Sequence, residues 1–144
     1  MADRIGPEQG GQTGPQMRLL LDTHTLLWWW LGDRRLSRKL ISYLEDAGTE
    51  LHISAVSALE IATKVRIGKL PEASELINGF EASLSLQGIR ELPVSVTHAR
   101  RAGLLQSRHR DPFDRILAAQ SIIEDLPIVS GDVVLGSLGA QLIW

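Results

Sequence analysis

From residue 17 onward, short apolar runs alternate with longer segments of helical period, and this alternation is the strongest constraint on the fold. Residues 18–22 (RLLLD) are too few for a helix and too uniformly apolar for a half-exposed strand. They fit a strand buried on both faces. Residues 23–31 read as a helix. Ser37 is a good N-cap for a second helix over 38–47, stopped by Gly48. Residues 51–54 (LHIS) form a second strand, and 55–67 a third helix with Gly68 as its stop. Pro71 and Glu72 open a helix predicted to run to Gln87. A third strand follows over 89–94, a helix over 97–107, and another from Asp111-Pro112 to Glu124. Residues 127–130 make a fourth strand and, after a short turn or helix, 141–144 a fifth. Strands separated by helices predict an α/β fold: a three-layer sandwich with a central, mostly parallel sheet of about five strands and helices on both faces.

Several function classes fall away. The 144 residues include no cysteine, which excludes disulfides, thiolate zinc sites and cysteine nucleophiles. No apolar run approaches the length of a membrane span. Residues 1–16 hold four of the thirteen glycines and two of the six prolines. They are expected to be disordered, so the domain is assigned to 17–144, and Met17 is an alternative natural start. They also lack the apolar stretch of a secretory signal. A net charge of −2 argues mildly against a nucleic-acid partner. Local charge distribution therefore has to decide.

Four acids stand at telling places. In open α/β sheets, ligands bind beyond the carboxyl ends of the strands where strand order reverses. Asp22 ends the first strand, and Asp132 follows the fourth in Ser130-Gly131-Asp132. If those strands are neighbours, both carboxylates face one crevice; the plainer reading is that each caps the next helix. Glu60 has two structural explanations, a capping box with Ser57 and an ion pair with Lys64. Ser54 is the more natural N-cap, however, which puts Glu60 beyond box geometry. Asp111 before Pro112 is most simply an N-cap, leaving Asp114 in the first turn, where the helix dipole favours an acid. Taken together, Asp22, Glu60, Asp114 and Asp132 would repel one another in a shared crevice. A hard divalent cation, Mg²⁺ or Mn²⁺, would relieve that repulsion. Such an ion activates water and stabilises charge on a phosphodiester.

The segments MRLLLDTHTLLWW (17–29), ISAVSALEIATKVRIGKL (53–70), HRDPFDRILAAQ (109–120) and IVSGD (128–132) resemble the PIN domain, and specifically the VapC-type toxins of prokaryotic toxin–antitoxin pairs. The resemblance implies a cytoplasmic, Mg²⁺- or Mn²⁺-dependent endoribonuclease acting on single-stranded RNA. Carried over by position, Asp22, Glu60 and Asp114 form the main acidic constellation. Asp132 is the fourth acid, acting more weakly or through water. Thr23 and Ser130 are hydrogen bonders behind the ligands. His24 is not assigned as a general base. The resemblance also implies a homodimer and a cognate VapB-type antitoxin whose C-terminal segment covers a groove near the site.

Cations cluster at Arg34, Arg35, Arg38 and Lys39, at Arg100 and Arg101, and at Arg108, His109 and Arg110. Arg108, Arg110 and Arg115 flank the acids and are candidates for contacting a polyanion. No aromatic ladder for stacking bases is legible. Six consecutive apolar residues, 26–31 (LLWWWL), would cover a whole helix circumference. At least one of Trp28, Trp29 and Trp30 is therefore expected to contact a second chain, the alternative being cover within the monomer. Two rival functions remain, a phosphatase and a non-catalytic binding module. A phosphatase of the haloacid-dehalogenase type wants a second Asp where this chain has His24.

Overall fold

The computed structural model describes residues 17–144. The expectations for residues 1–16 lie outside the described residues. Five strands form one sheet: β1 (Met17–Leu21), β2 (Thr49–Ser54), β3 (Arg90–Leu92), β4 (Ile128–Val129) and β5 (Leu142–Ile143). Their spatial order is β3-β2-β1-β4-β5, and every pairing is parallel. Parallel neighbours require crossovers. The helices α1 (Thr23–Leu31), α2 (Arg38–Glu45), α3 (Ala55–Arg66), α4 (Ser74–Ile77), α5 (Phe80–Leu86), α6 (Val96–Leu104), α7 (Pro112–Glu124) and α8 (Val133–Ser137) supply them.

β1 is the hinge of the architecture. Leu19, Leu20 and Leu21 are each fully buried, and successive side chains point to opposite faces. Leu19 and Leu21 enter a core with Leu26 and Leu27 of α1, Leu40 and Leu44 of α2, Ile61 of α3, and Phe80 and Leu84 of α5. Leu20 enters the other core, with Ile128, Leu117 and Ala118 of α7, and Leu135 of α8. Helices therefore cover both faces, as the sequence predicts. β1 pairs with β2 from Met17↔Thr49 to Leu21↔Ile53 on one side, and with β4 at Leu20↔Ile128 and Leu21↔Val129 on the other. The chain builds outward from β1 to β3, then returns across β1 to β4 and β5. Strand order thus reverses between β1 and β4, where a ligand crevice opens.

Two element expectations are corrected. The single helix over 71–87 is broken into a 3-10 turn (Pro71–Ala73), α4 and α5. Asn78 leaves the helix in an extended conformation, and Gly79 takes a left-handed φ of 69° as it caps α5, a conformation that suits glycine. The third strand is only three residues long. Pro93, with no N–H to give a ladder, follows it directly.

Leu20→Ala tests the two-sided burial of β1. Truncating a fully buried leucine that the parallel ladder holds in place should cost about 3 kcal/mol. Urea denaturation should show the midpoint falling with an unchanged slope.

Candidate active site

Asp22 lies at the end of β1, with its backbone in the N-cap position of α1. Its side chain makes no capping hydrogen bond. The carboxylate instead accepts the Ser130 hydroxyl at Oδ2, 2.7 Å away across the β1–β4 boundary. Ser130 also accepts the Asp132 amide at 2.9 Å, so one buried hydroxyl fixes both Asp22 and the loop carrying Asp132. Burial pushes the Asp22 carboxyl above its ordinary value. Ser130, His24 and the Thr23 amide pull it back, and the charge of Glu60 adds to the rise. Glu60 and Asp22 therefore share one electrostatic environment.

Glu60 projects from α3, one turn after Ser57. Ser54 caps α3 by accepting the Val56 amide at 3.0 Å, which removes Glu60 from capping. Its Oε2 accepts from Lys64 at 2.9 Å. Thr23 acts one step back: its hydroxyl donates to Ser57 at 2.8 Å and ties α1 to the helix that carries Glu60. Thr25 donates to the Val129 carbonyl at 2.7 Å and ties α1 to β4.

Asp114 sits half-buried in the first turn of α7. Burial raises its carboxyl, a hydrogen bond from His109 opposes the rise, and the charges of Asp111 and Asp132 add to it. The His109 ring meets Asp114 Oδ2 at 2.7 Å. Asp111 caps α7 by accepting the Phe113 amide at 2.9 Å, and Asp132 caps α8 by accepting the Val134 amide at 3.0 Å. Capping thus accounts for one oxygen of Asp132 and of Asp111, and for neither oxygen of Asp22.

The four acids are linked only pairwise, and among the described residues no three of them have ligand atoms within 4.8 Å of one another. Glu60 raises Asp22; Asp22 and Asp132 line one cavity; Asp132 raises Asp114. Among the described residues, one set of three potential ligands has all its donor atoms within 4.8 Å of one another: His109, Asp111 and Asp114. By sequence His109 counts only among the clustered cations. The spacing His109-x-Asp111-x-x-Asp114 was the available signal. Arg115 departs from its expected role as a substrate contact. All five of its donors point at carbonyls: Ala102, Gly103, Leu105, Ser107 and His109. It holds the loop that presents His109. Arg108 and Arg110 are exposed on that loop.

The donor set suits a hard divalent cation. Asp22, Glu60, Asp114 and Asp132 offer only oxygen, and His109 adds a ring nitrogen beside Asp114.

The sequence pattern of the PIN domain matches residues 19–139, and the chain belongs to the PIN domain family. Its fold is similar to a chain of the VapBC2 complex of Rickettsia felis bound to a DNA fragment from its promoter. That match has a TM-score of 0.65 at 15% identity and covers 88% of this chain and 98% of the other. A toxin–antitoxin complex from Klebsiella pneumoniae matches with a TM-score of 0.61 at 16% identity, over 88% and 96% of the two chains. FitAcB from Neisseria gonorrhoeae matches with a TM-score of 0.61 at 18% identity, again over 88% and 96%. No curated protein matches this chain in sequence.

The Asp22 environment gives a stability prediction. A carboxyl raised in the folded state favours folding when protonated, and that contribution is lost as pH rises through its folded pKa. Asp22→Asn should therefore raise the melting temperature in chelator at pH 7. The gain should shrink toward pH 3, where the wild-type carboxyl is itself protonated. Thermal melts of both chains at the two pH values check this, and equal melting temperatures at pH 7 would contradict it.

Proposed function

We propose that this protein is a metal-dependent endoribonuclease and the toxin of a VapC-type toxin–antitoxin pair. The observation that carries the reading is Asp22. It is a carboxylate buried at the β1–β4 reversal, not engaged in capping, oriented by Ser130 and repelled by Glu60. Asp22, Glu60 and Asp114 would hold Mg²⁺ or Mn²⁺, with Asp132 beside them. Bound there, the ion supplies an activated water and charge neutralisation for phosphodiester hydrolysis. Ser130 fixes the direction of the Asp22 carboxylate. Lys64 draws one Glu60 oxygen aside, and His109 does the same for one oxygen of Asp114. Arg108 and Arg110 stand where flanking phosphates of single-stranded RNA would pass.

Partners follow from the same reading. The similar folds come from proteins described as toxin–antitoxin complexes, which supports a VapB-type antitoxin for this chain, and homodimerisation accompanies it. An apolar groove of about 590 Å³, lined by Ala58, Ile77, Phe80, Leu84 and Leu92, is open beside edge strand β3 for a partner segment. Among the described residues no helix is long and apolar enough to cross a membrane, and the proposed place of action is the cytoplasm. The indoles of Trp28, Trp29 and Trp30 all pack against the first core. Cover within the monomer therefore accounts for part of that run, and contact of one of them with a second chain stays part of this proposal.

The test is cleavage of single-stranded RNA with and without Mg²⁺ or Mn²⁺, alongside a small phosphomonoester. RNA should be cut only with metal, and the phosphomonoester should stay intact. Asp22→Asn should lower cleavage by about a hundredfold or more while the protein stays folded. Metal-dependent RNA cleavage retained by that variant would refute the assignment. Phosphomonoester turnover without RNA cleavage would favour a phosphatase.

A further inference from the structure

A second feature adjoins the carboxylates. A cavity of about 360 Å³ has Asp22 and Asp132 in its wall, and Trp28, Trp144, His24 and Arg35 make up much of the remainder. That volume is at the small end of ligand cavities and suits one nucleoside rather than a stretch of chain. His24 and Trp28 lie one turn apart on α1, and Trp144 joins them from the far end of the sequence. The Trp28 ring centroid lies 6.0 Å from that of Trp144 and 5.8 Å from that of His24. The Arg35 guanidinium covers Trp28 at 4.6 Å.

The placement of Trp144 is specific. A Cβ on Gly131 would meet its indole at 2.8 Å, so only glycine lets the ring lie against this loop. Gly131 has no left-handed φ, and its bare backbone is needed for this close approach. The indole nevertheless stays 52% exposed. One part of the ring is backed by the site loop and another is open, although core packing would have favoured closing it. A half-exposed π-surface beside acids that suit a metal matches a ligand with a planar ring and a phosphate close together. A nucleotide has both.

Resting on the nuclease reading above, we propose that this cavity seats one base of the RNA, stacked on Trp144, next to the phosphodiester at Asp22 and Asp132. Stacking is open to every base because each has a π-face. The pocket thus fixes the register of the strand against the acids, and the His24, Trp28 and Arg35 walls limit the size of what enters. The acids act on the phosphodiester, and Trp144 holds whichever base adjoins it.

The test is a double-mutant cycle on the full chain with Mg²⁺. Wild type, Trp144→Ala and Trp144→Phe are assayed on a single-stranded oligoribonucleotide and on copies made abasic at each position around the cut. For wild type, one abasic position should lower kcat/KM about tenfold, mainly through KM. Trp144→Ala should lose a similar factor on the intact strand and be insensitive to that abasic position. Trp144→Phe should recover most of the loss, which separates stacking from a folding defect. Independent, multiplying losses from Trp144→Ala and the abasic position would overturn the proposal, as would an unaffected Trp144→Ala. If Trp144→Ala leaves cleavage intact but alters self-association in sedimentation, the pocket belongs to a protein interface and the proposal also fails. In these cases wild-type cleavage persists and the nuclease reading stands. If wild type cuts no RNA at all, both readings fall.

Discussion

A carboxylate that follows three fully buried strand residues, Leu19 to Leu21, must be compensated, and the residues around it are arranged to meet that requirement. The Asp22 side chain is 8% exposed, and an ion taken out of water is costly unless it is hydrogen-bonded. Its compensation comes from a different strand. The Ser130 hydroxyl reaches it only because β1 and β4 are neighbours in register, with Leu21 opposite Val129. That adjacency in turn depends on the crossover that brings the chain back past β1. The same hydroxyl accepts the Asp132 amide, so the orientation of one acid and the path of the loop bearing another are coupled. Compensation is incomplete, since burial still raises the Asp22 carboxyl and Glu60 adds to the rise.

The parts of this arrangement legible in the sequence are those encoded locally. The run RLLLD gives a strand and its end, and the end places the acid. The Asp111-Pro112 pair gives the start of α7 and hence the height of Asp114. What the sequence could not decide is which acids are merely caps. Asp22, Asp111 and Asp132 all occupy N-cap positions. Whether a side chain turns back to its own helix or outward depends on what faces it. Asp111 and Asp132 turn back. Asp22 turns toward Ser130, which is 108 residues away in sequence.

The settings of Arg115 and His109 likewise depend on what faces them. Composition counts both as cations, and a cation beside an acidic site suggests a polyanion contact. The end of α6 and the largely exposed loop after it, however, present a series of carbonyls at Ala102, Gly103, Leu105, Ser107 and His109. Arg115 answers several at once, including the carbonyl of His109 at 2.8 Å. The loop is thereby fixed and the His109 ring directed at Asp114. The break in the 71–87 segment was closer to legible. Asn78-Gly79 is a strong turn signal, and the surrounding helical period masked it.

Gly131 shows how far a residue's apparent purpose can lie from its real one. Its setting in Ser130-Gly131-Asp132 suggests loop freedom. Its backbone takes no conformation that requires glycine, and only an indole 13 positions on in the chain explains it. The close approach confines Trp144 against the very loop that Ser130 pins to Asp22. Contacts thus run from Trp144 through the loop to the buried acid, and the Thr25 bond to the Val129 carbonyl ties α1 to β4 beside them.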